Sequence, residues 1–153
     1  MFTVVLLAHV ATALVGLGAM AATGISAARA ARGPSAPGAT SVRRYFQPGA
    51  NIAGRTVYLV PILGSALVAM SQHRYEFSDR FVAFGIVLWL LAVGLAETVV
   101  WPGEKEISRA VSGDWDGAAS EGGMATICRR VTATSALVVV IFVLGTVVMF
   151  AQF

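Results

Sequence analysis

The sequence predicts an all-α, polytopic membrane protein: a bundle of four transmembrane helices with the N-terminus and the C-terminus outside. Of its 153 residues, 57% are hydrophobic and 12% are charged, whereas soluble domains average about 45–50% and about 25%. The apolar residues gather in four runs, each close to the roughly 20 residues that a helix needs to cross a bilayer. An ordinary soluble domain, a disordered chain and a disulfide-stapled scaffold are therefore excluded.

The four runs form a single transmembrane domain, residues 1–153. The predicted spans are residues 2–28, 52–71, 81–101 and 131–153, joined by connections 29–51 and 102–130 and by a short hinge, 72–80. A membrane strand would need alternating polarity over about 10 residues, which these runs lack. The first run has its positive charges, Arg29 and Arg32, after it. This is the reverse of a secretory signal, so we expect a retained span, with a cleaved signal peptide as the alternative.

Positive charges set the predicted orientation. Nine of the eleven Lys and Arg residues lie in or beside connections 29–51 and 102–130, and two lie in the 72–80 hinge. Because cytoplasmic loops carry the excess of Lys and Arg, both connections are predicted to be cytoplasmic. Arg greatly outnumbers Lys, which favours a bacterial inner membrane. The net charge of +3 belongs to this pattern, and no nucleic acid partner is expected.

Small residues recur along the first span and predict a surface for close helix packing. In lipid, helices associate largely through small residues that let backbones approach. The partner helix lies either in this chain or in another protein. The predicted contacts are Ala8, Thr12 and Gly16 on one face, and Gly18, Ala22 and Ser26 beside it.

Two titratable residues, His9 and Glu97, lie clearly inside spans. Intramembrane ionisable residues are costly, so each is a functional hypothesis, and both are predicted partner-helix contacts. Glu97 would serve as a proton or cation site or as a hydrogen-bonding anchor. Alternatively, it reaches the cytoplasmic interface or pairs with Arg or Lys. His9 would be a haem ligand, part of a proton path, or a neutral imidazole hydrogen-bonded to a neighbouring helix.

Catalytic, cofactor and metal sites are not expected. A bis-histidine haem would need His9 and His73 at matched height, and these two form a poor pair. His73, Glu76 and Asp79 offer metal-capable side chains, but an ion-paired turn explains them more simply. Cys128 stands alone beside two arginines and is interpreted as a small packing residue.

Several residues predict how the helices end. Arg43, Arg44, Tyr45 and Trp101 are the candidate contacts to lipid headgroups, since such residues are enriched at membrane interfaces. Pro61 predicts a kink in the second span, and Pro102 with Gly103 is predicted to stop the third helix after Trp101. A short surface helix is expected over residues 104–112, then a turn at 114–117. The fourth helix is expected to begin before Met124 and to protrude from the membrane.

Three passages carry a family resemblance: LLAHV in the first span, GRTVYLVPILGSALVAM in the second, and LWLLAVGLAETVVWPGEKEI ending the third. Together, over roughly residues 6–107, they resemble a family of small four-helix bacterial proteins described only as predicted integral membrane proteins. Within it, the chain is similar to the accessory subunit found with the actinobacterial cytochrome bcc-aa3 respiratory supercomplex. That resemblance implies a non-catalytic subunit that packs against larger redox subunits and holds neither haem nor copper.

The sequence therefore favours a non-catalytic accessory subunit of a membrane complex, most simply a respiratory supercomplex. Its expected partners are larger integral membrane subunits and phospholipid. A small transporter or proton-conducting oligomer that uses Glu97 is the alternative from a different class, and a haem-binding electron carrier is a third.

Overall fold

The computed structural model describes residues 1–47, 52–72, 74–113 and 121–151, and the described part contains helices and turns but no strand. Four helices in it are long and apolar enough to cross a membrane. The predicted all-α, four-helix membrane architecture is therefore confirmed. Its elements are α1 (Phe2–Ala30), α2 (Ala39–Tyr45), a 3-10 segment (Ile52–Tyr58), α3 (Leu59–Met70), α4 (Arg80–Leu95), a π segment (Ala96–Val100), α5 (Trp101–Ser112) and α6 (Glu121–Ala151).

The long helices pack in the order α3, α1, α6, α4. Helix α1 contacts α6 along one side and α3 with the preceding 3-10 segment along the other, while α6 also packs on α4, the π segment and α5. The chain thus brings its first and last helices together at the centre. Helix α6 begins before Met124, as predicted, about ten residues before its long apolar run.

The third helix does not end at Trp101, so the prediction that Pro102 and Gly103 stop it is wrong. One continuous helical stretch runs from Arg80 to Ser112. In the π segment the Trp101 N–H donates to the Ala96 carbonyl, five residues earlier, and Pro102 follows in the first turn of α5. A wider turn relieves the clash of a proline ring with the preceding carbonyls, and proline is tolerated in a first helical turn.

Pro61 is accommodated in a similar way. It lies in the first turn of α3, directly after the 3-10 segment, so the backbone irregularity precedes it. A proline N cannot donate to the carbonyl four residues earlier, which belongs to Val57. The indole N–H of Trp89 donates to that carbonyl instead, at 3.0 Å. The Pro61 position is therefore stabilised by a side chain from α4.

The first connection contains a short helix, α2, which the sequence pattern does not predict. Gly38 before it has a φ of 91°, a conformation that favours glycine. The side chain of Phe46 is 2% exposed, and its carbonyl accepts a hydrogen bond from the Ser108 hydroxyl at 2.6 Å. The Tyr45 hydroxyl shares a hydrogen bond with Thr23 of α1 at 2.7 Å. Helix α2 is thus fastened to both α1 and α5.

Helices α1 and α6 meet closely at Gly24. A Cβ added there would lie 3.0 Å from the Ser135 Cβ, and the Thr132 hydroxyl donates to the Gly24 carbonyl at 3.2 Å. The Ser135 hydroxyl is buried and has no hydrogen-bond partner in the described part of the chain. Small residues therefore do mediate helix packing, as expected in lipid.

Buried residues concentrate at one end of the bundle, which we call the α2 end: residues 20–30, α2, residues 100–112 and residues 121–135. The opposite, hinge end comprises residues 2–15, α3 with the 71–79 hinge, residues 80–91 and residues 139–151. The α2 end contributes most of the core, whereas no described residue of α3 is buried. We include Phe46, which directly follows α2, in the α2 end. Core residues of this end include Met20, Ala27, Ala30, Val42, Phe46, Ile107, Val111, Met124, Cys128 and Val131.

Candidate functional site

Glu97 lies on the surface of the bundle, within the π segment and inside a membrane-spanning helix. It follows Arg80 by 17 residues, or about 25 Å along a helix axis. π turns are rare and frequently occur at functional positions. The carboxylate therefore stands on an irregular turn, near the end of the apolar part of its span.

Two side chains of the 3-10 segment, Arg55 and Tyr58, lie with Trp101 beside this carboxylate in a chain of contacts that we call the Glu97 cluster: Arg55, Tyr58, Glu97 and Trp101. The Tyr58 hydroxyl donates a hydrogen bond to Glu97 Oε1. The Tyr58 and Trp101 rings are tilted by 35° with centroids 5.5 Å apart. The Arg55 guanidinium lies 5.7 Å from the centroid of the Trp101 ring, within cation–π range.

The Glu97 cluster can hold a charge or a proton near the membrane interface. An ionised carboxylate accepts about four hydrogen bonds, and in the described part of the chain Tyr58 alone donates to Glu97. No described Lys or Arg forms an ion pair with it, because Arg55 is directed to the Trp101 ring. Acceptor capacity therefore remains for a group from outside the chain.

His9 packs against α3. A Cβ added at Gly64 would lie 3.3 Å from the imidazole Cε1, so glycine makes room for the ring. Its Nδ1 is buried without a hydrogen-bond partner in the described residues. Gly64 follows Tyr58 by six residues, or about 9 Å along α3. His9 and the Glu97 cluster thus lie at different depths, as expected. His73, the other histidine, lies outside the described residues.

Some residues of the predicted small-residue faces of α1 are buried in the bundle, and others lie on its surface. Gly16 is buried against Thr56 and Val57, whereas Gly18 has open space around a hypothetical Cβ. Ala8 is exposed, Ala22 and Ser26 are partly buried, and Thr12 donates to the Ala8 carbonyl of its own helix. The face that packs inside the chain consists chiefly of Gly16, Met20, Thr23, Gly24, Ala27 and Ala30.

The four candidate contacts to lipid headgroups also fall into two groups: two are exposed, and two contact other residues of the protein. Arg43 and Arg44 are exposed on α2, where contact with lipid headgroups stays a prediction. Tyr45 is partly buried and directs its hydroxyl to Thr23, and Trp101 is buried beneath Tyr58 and Arg55. These two aromatic rings contact protein in this chain.

The remaining candidates belong to local structure. In the hinge, the Glu76 N–H donates to Asp79 Oδ2 at 2.8 Å, and the Ser78 hydroxyl donates to Glu76. Cys128 is buried in the core, as predicted for a packing residue. The turn expected at residues 114–117 lies outside the described residues.

Sequence reasoning identified Glu97 and Trp101 but missed the roles of Tyr58 and Arg55. Tyr58 is 39 residues away from Glu97 along the chain, and no local pattern connects them. The available signal was their shared level: Arg55 and Tyr58 begin the second span at the predicted cytoplasmic side, and Glu97 and Trp101 end the third there. Antiparallel neighbouring spans place such residues at one depth.

The comparison with known families agrees with the architecture. The chain matches the family described as "Predicted integral membrane protein (DUF2269)" over residues 3–152. No curated protein and no solved structure matches it. The match covers nearly the whole chain and accords with four apolar helices of membrane-spanning length. This multi-pass membrane protein therefore belongs to that family of predicted integral membrane proteins.

Proposed function

We propose that this protein is a non-catalytic accessory subunit that packs against larger subunits of a membrane complex. The observation that carries the proposal is the Glu97 carboxylate on the surface of a membrane-spanning helix, with one hydrogen bond from the described residues of its own chain. Ionisable groups within spans normally face a protein interior, a water-filled cavity or a partner. A subunit interface would supply the missing surroundings.

The exposed part of α1 supports the same proposal. Ala8 and Gly18 lie on the surface, and Gly18 has open space where a Cβ would stand. Small residues at a helix surface allow another backbone to approach closely in lipid. The finer proposal, that the complex is a bacterial cytochrome bcc-aa3 respiratory supercomplex, rests on the resemblance of three sequence passages.

Purification from native membranes tests the accessory role. The full-length chain, tagged and extracted in mild detergent, is expected to bring larger integral membrane subunits with it, identified by mass spectrometry. Recovery of oxidase and cytochrome bc subunits would support the finer proposal. Recovery of the chain by itself, under conditions that keep a known membrane complex intact, would contradict the accessory role.

A proton-conducting or transporting oligomer is the second candidate, and the position of Glu97 on a membrane-spanning helix favours it because a carboxylate there can bind and release a proton. The purified chain in liposomes would then conduct protons, and Glu97→Gln would reduce the flux. Glu106→Gln, at an exposed carboxylate of α5, is the matched control. Flux that is absent, or unaffected by Glu97→Gln, would dismiss this candidate.

A further inference from the structure

We propose that the exposed face formed by α4 and the π segment around Glu97 binds a transmembrane helix of a partner subunit through a cationic side chain, Lys or Arg, that pairs with the Glu97 carboxylate. This inference rests on the proposed accessory function and adds the chemistry of the partner. It is carried by the unfilled acceptor capacity of Glu97 and by the shape of the surface next to it.

The carboxylate is positioned but incompletely satisfied. Tyr58 fixes Oε1 from one side, and no ion pair to Glu97 is present within the described residues. Arg55, which would otherwise be a natural partner, contacts the face of Trp101. A charged group near hydrocarbon is stabilised by an opposite charge with hydrogen bonds. The chemistry that completes the site is therefore a cationic donor.

The adjacent surface has the spacing of a helix-packing seam, which we call the α4 seam. Five residues at alternating four- and three-residue steps are all exposed: Ala83, Val87, Leu90, Gly94 and Glu97. Such alternation is the pattern that keeps one helix face against another. The seam extends over 14 residues, or about 21 Å, which suits a helix better than a single lipid headgroup.

Gly94 allows the backbone of another helix to approach the α4 seam closely. A Cβ added there would meet no atom within 4 Å, and Gly94 precedes Glu97 by one helical turn. Glycine costs helical stability relative to alanine, and packing inside this chain does not require it. A close approach of another helix beside Glu97 does require a small residue at this position, since small residues allow helix backbones to come together in membranes. The cationic residue of the partner is thus expected near the end of its own span, at the level of Glu97.

Charge variants of the full-length chain test this proposal in native membranes. Partner subunits that co-purify with the wild type are quantified relative to the tagged chain for Glu97→Gln, Glu97→Lys and the control Glu106→Gln. Breaking a desolvated charge pair weakens binding substantially, so both Glu97 variants are expected to lower partner recovery about tenfold or more. The control is expected to match the wild type. Replacing the paired Lys or Arg of the partner by Glu should restore recovery with Glu97→Lys.

A second variant tests the seam without changing charge. Gly94→Leu places a side chain in open space and should leave the folded chain intact, but it should lower partner recovery comparably by blocking close approach. Unfolding midpoints of the purified variants check folding. If wild type recovers no partner, the accessory function itself fails. If partners are recovered equally with Glu97→Gln and Gly94→Leu, the cationic docking proposal fails while the accessory function stands. Loss of a bound amine-headgroup lipid with unchanged partner recovery would also overturn it.

Discussion

The α2 end and the hinge end of this bundle differ both in composition and in how much of them is buried, since α5 is amphipathic and charged whereas α3 and α4 are almost entirely apolar. At the α2 end, α5 places Ile107 and Val111 against α6 while its charged residues face outward. At the hinge end, α3 has no buried residue among those described, and large apolar side chains such as Leu7 and Phe84 are exposed. The more charged end is therefore the one that holds most of the core.

This difference indicates where a small membrane protein gains stability from burying apolar side chains. Within hydrocarbon, lipid tails solvate apolar side chains as well as a protein interior does, so burying them against protein brings little gain. Where helices extend beyond the membrane, water drives apolar side chains together. The amphipathic α5 and the start of α6 lie in the connection that the sequence predicts to be outside the hydrocarbon. The core is therefore expected to lie where the bundle meets water.

Two phenylalanines should show the largest contrast. Phe46→Ala, at a side chain that is 2% exposed, is expected to lower the free energy of unfolding by about 3–5 kcal/mol. The matched change Phe84→Ala, at a side chain that is 54% exposed, should stay within about 0.5 kcal/mol. Reversible unfolding in mixed detergent and SDS micelles measures both. Equal losses would break the comparison between the two ends.

Alanine substitutions at two glycines should change the free energy of unfolding by smaller amounts and in opposite directions. A Cβ at Gly103 would collide with the Val131 side chain, which is β-branched and stiff, so Gly103→Ala should destabilise the fold by about 1–3 kcal/mol. Gly18→Ala meets open space and should stabilise α1 by about 0.5–1 kcal/mol. The same unfolding titration measures both changes. A stabilising Gly103→Ala would contradict the close α5–α6 contact.

The smallest expected effect concerns the hydrogen bond that joins α5 to the end of α2. Ser108→Ala removes the hydroxyl that donates to the Phe46 carbonyl at 2.6 Å and should cost about 0.5–1.5 kcal/mol. Ser112→Ala, at an exposed position of the same helix, is the control. Amide hydrogen exchange should quicken across residues 39–46 in the first variant and not in the second. Unchanged protection would mean that the Phe46 side chain holds α2 without this hydrogen bond.

Much of the architecture was predictable because span formation depends on local composition. The four apolar runs became four helices, and α6 began before Met124, as expected. The error at Pro102 arose because the rule for proline assumes a regular α-helix. The π segment before it removes the steric conflict and continues the helix into α5. Helix α2 was missed because its stability comes from Phe46 and Tyr45 contacts with distant helices.

The candidate site was predictable only in part. Glu97 could be selected because a lone carboxylate in an apolar run is conspicuous. Tyr58 could not, because its hydrogen bond to Glu97 depends on how the second and third spans are aligned. On α1, the close contact with α6 is made at Gly24, a residue outside the predicted faces, and contact of Ala8 and Gly18 with a partner helix stays a prediction.

The sequence by itself determined that this is a four-span membrane protein and which residues are too polar for their surroundings. Both conclusions follow from the cost of moving each residue type from water into hydrocarbon, which is a property of single residues and short runs. The tertiary structure decided which helices are neighbours, where the core lies and that Glu97 faces outward beside Tyr58. Those outcomes depend on pairwise fit between distant segments, which no single residue or short run specifies.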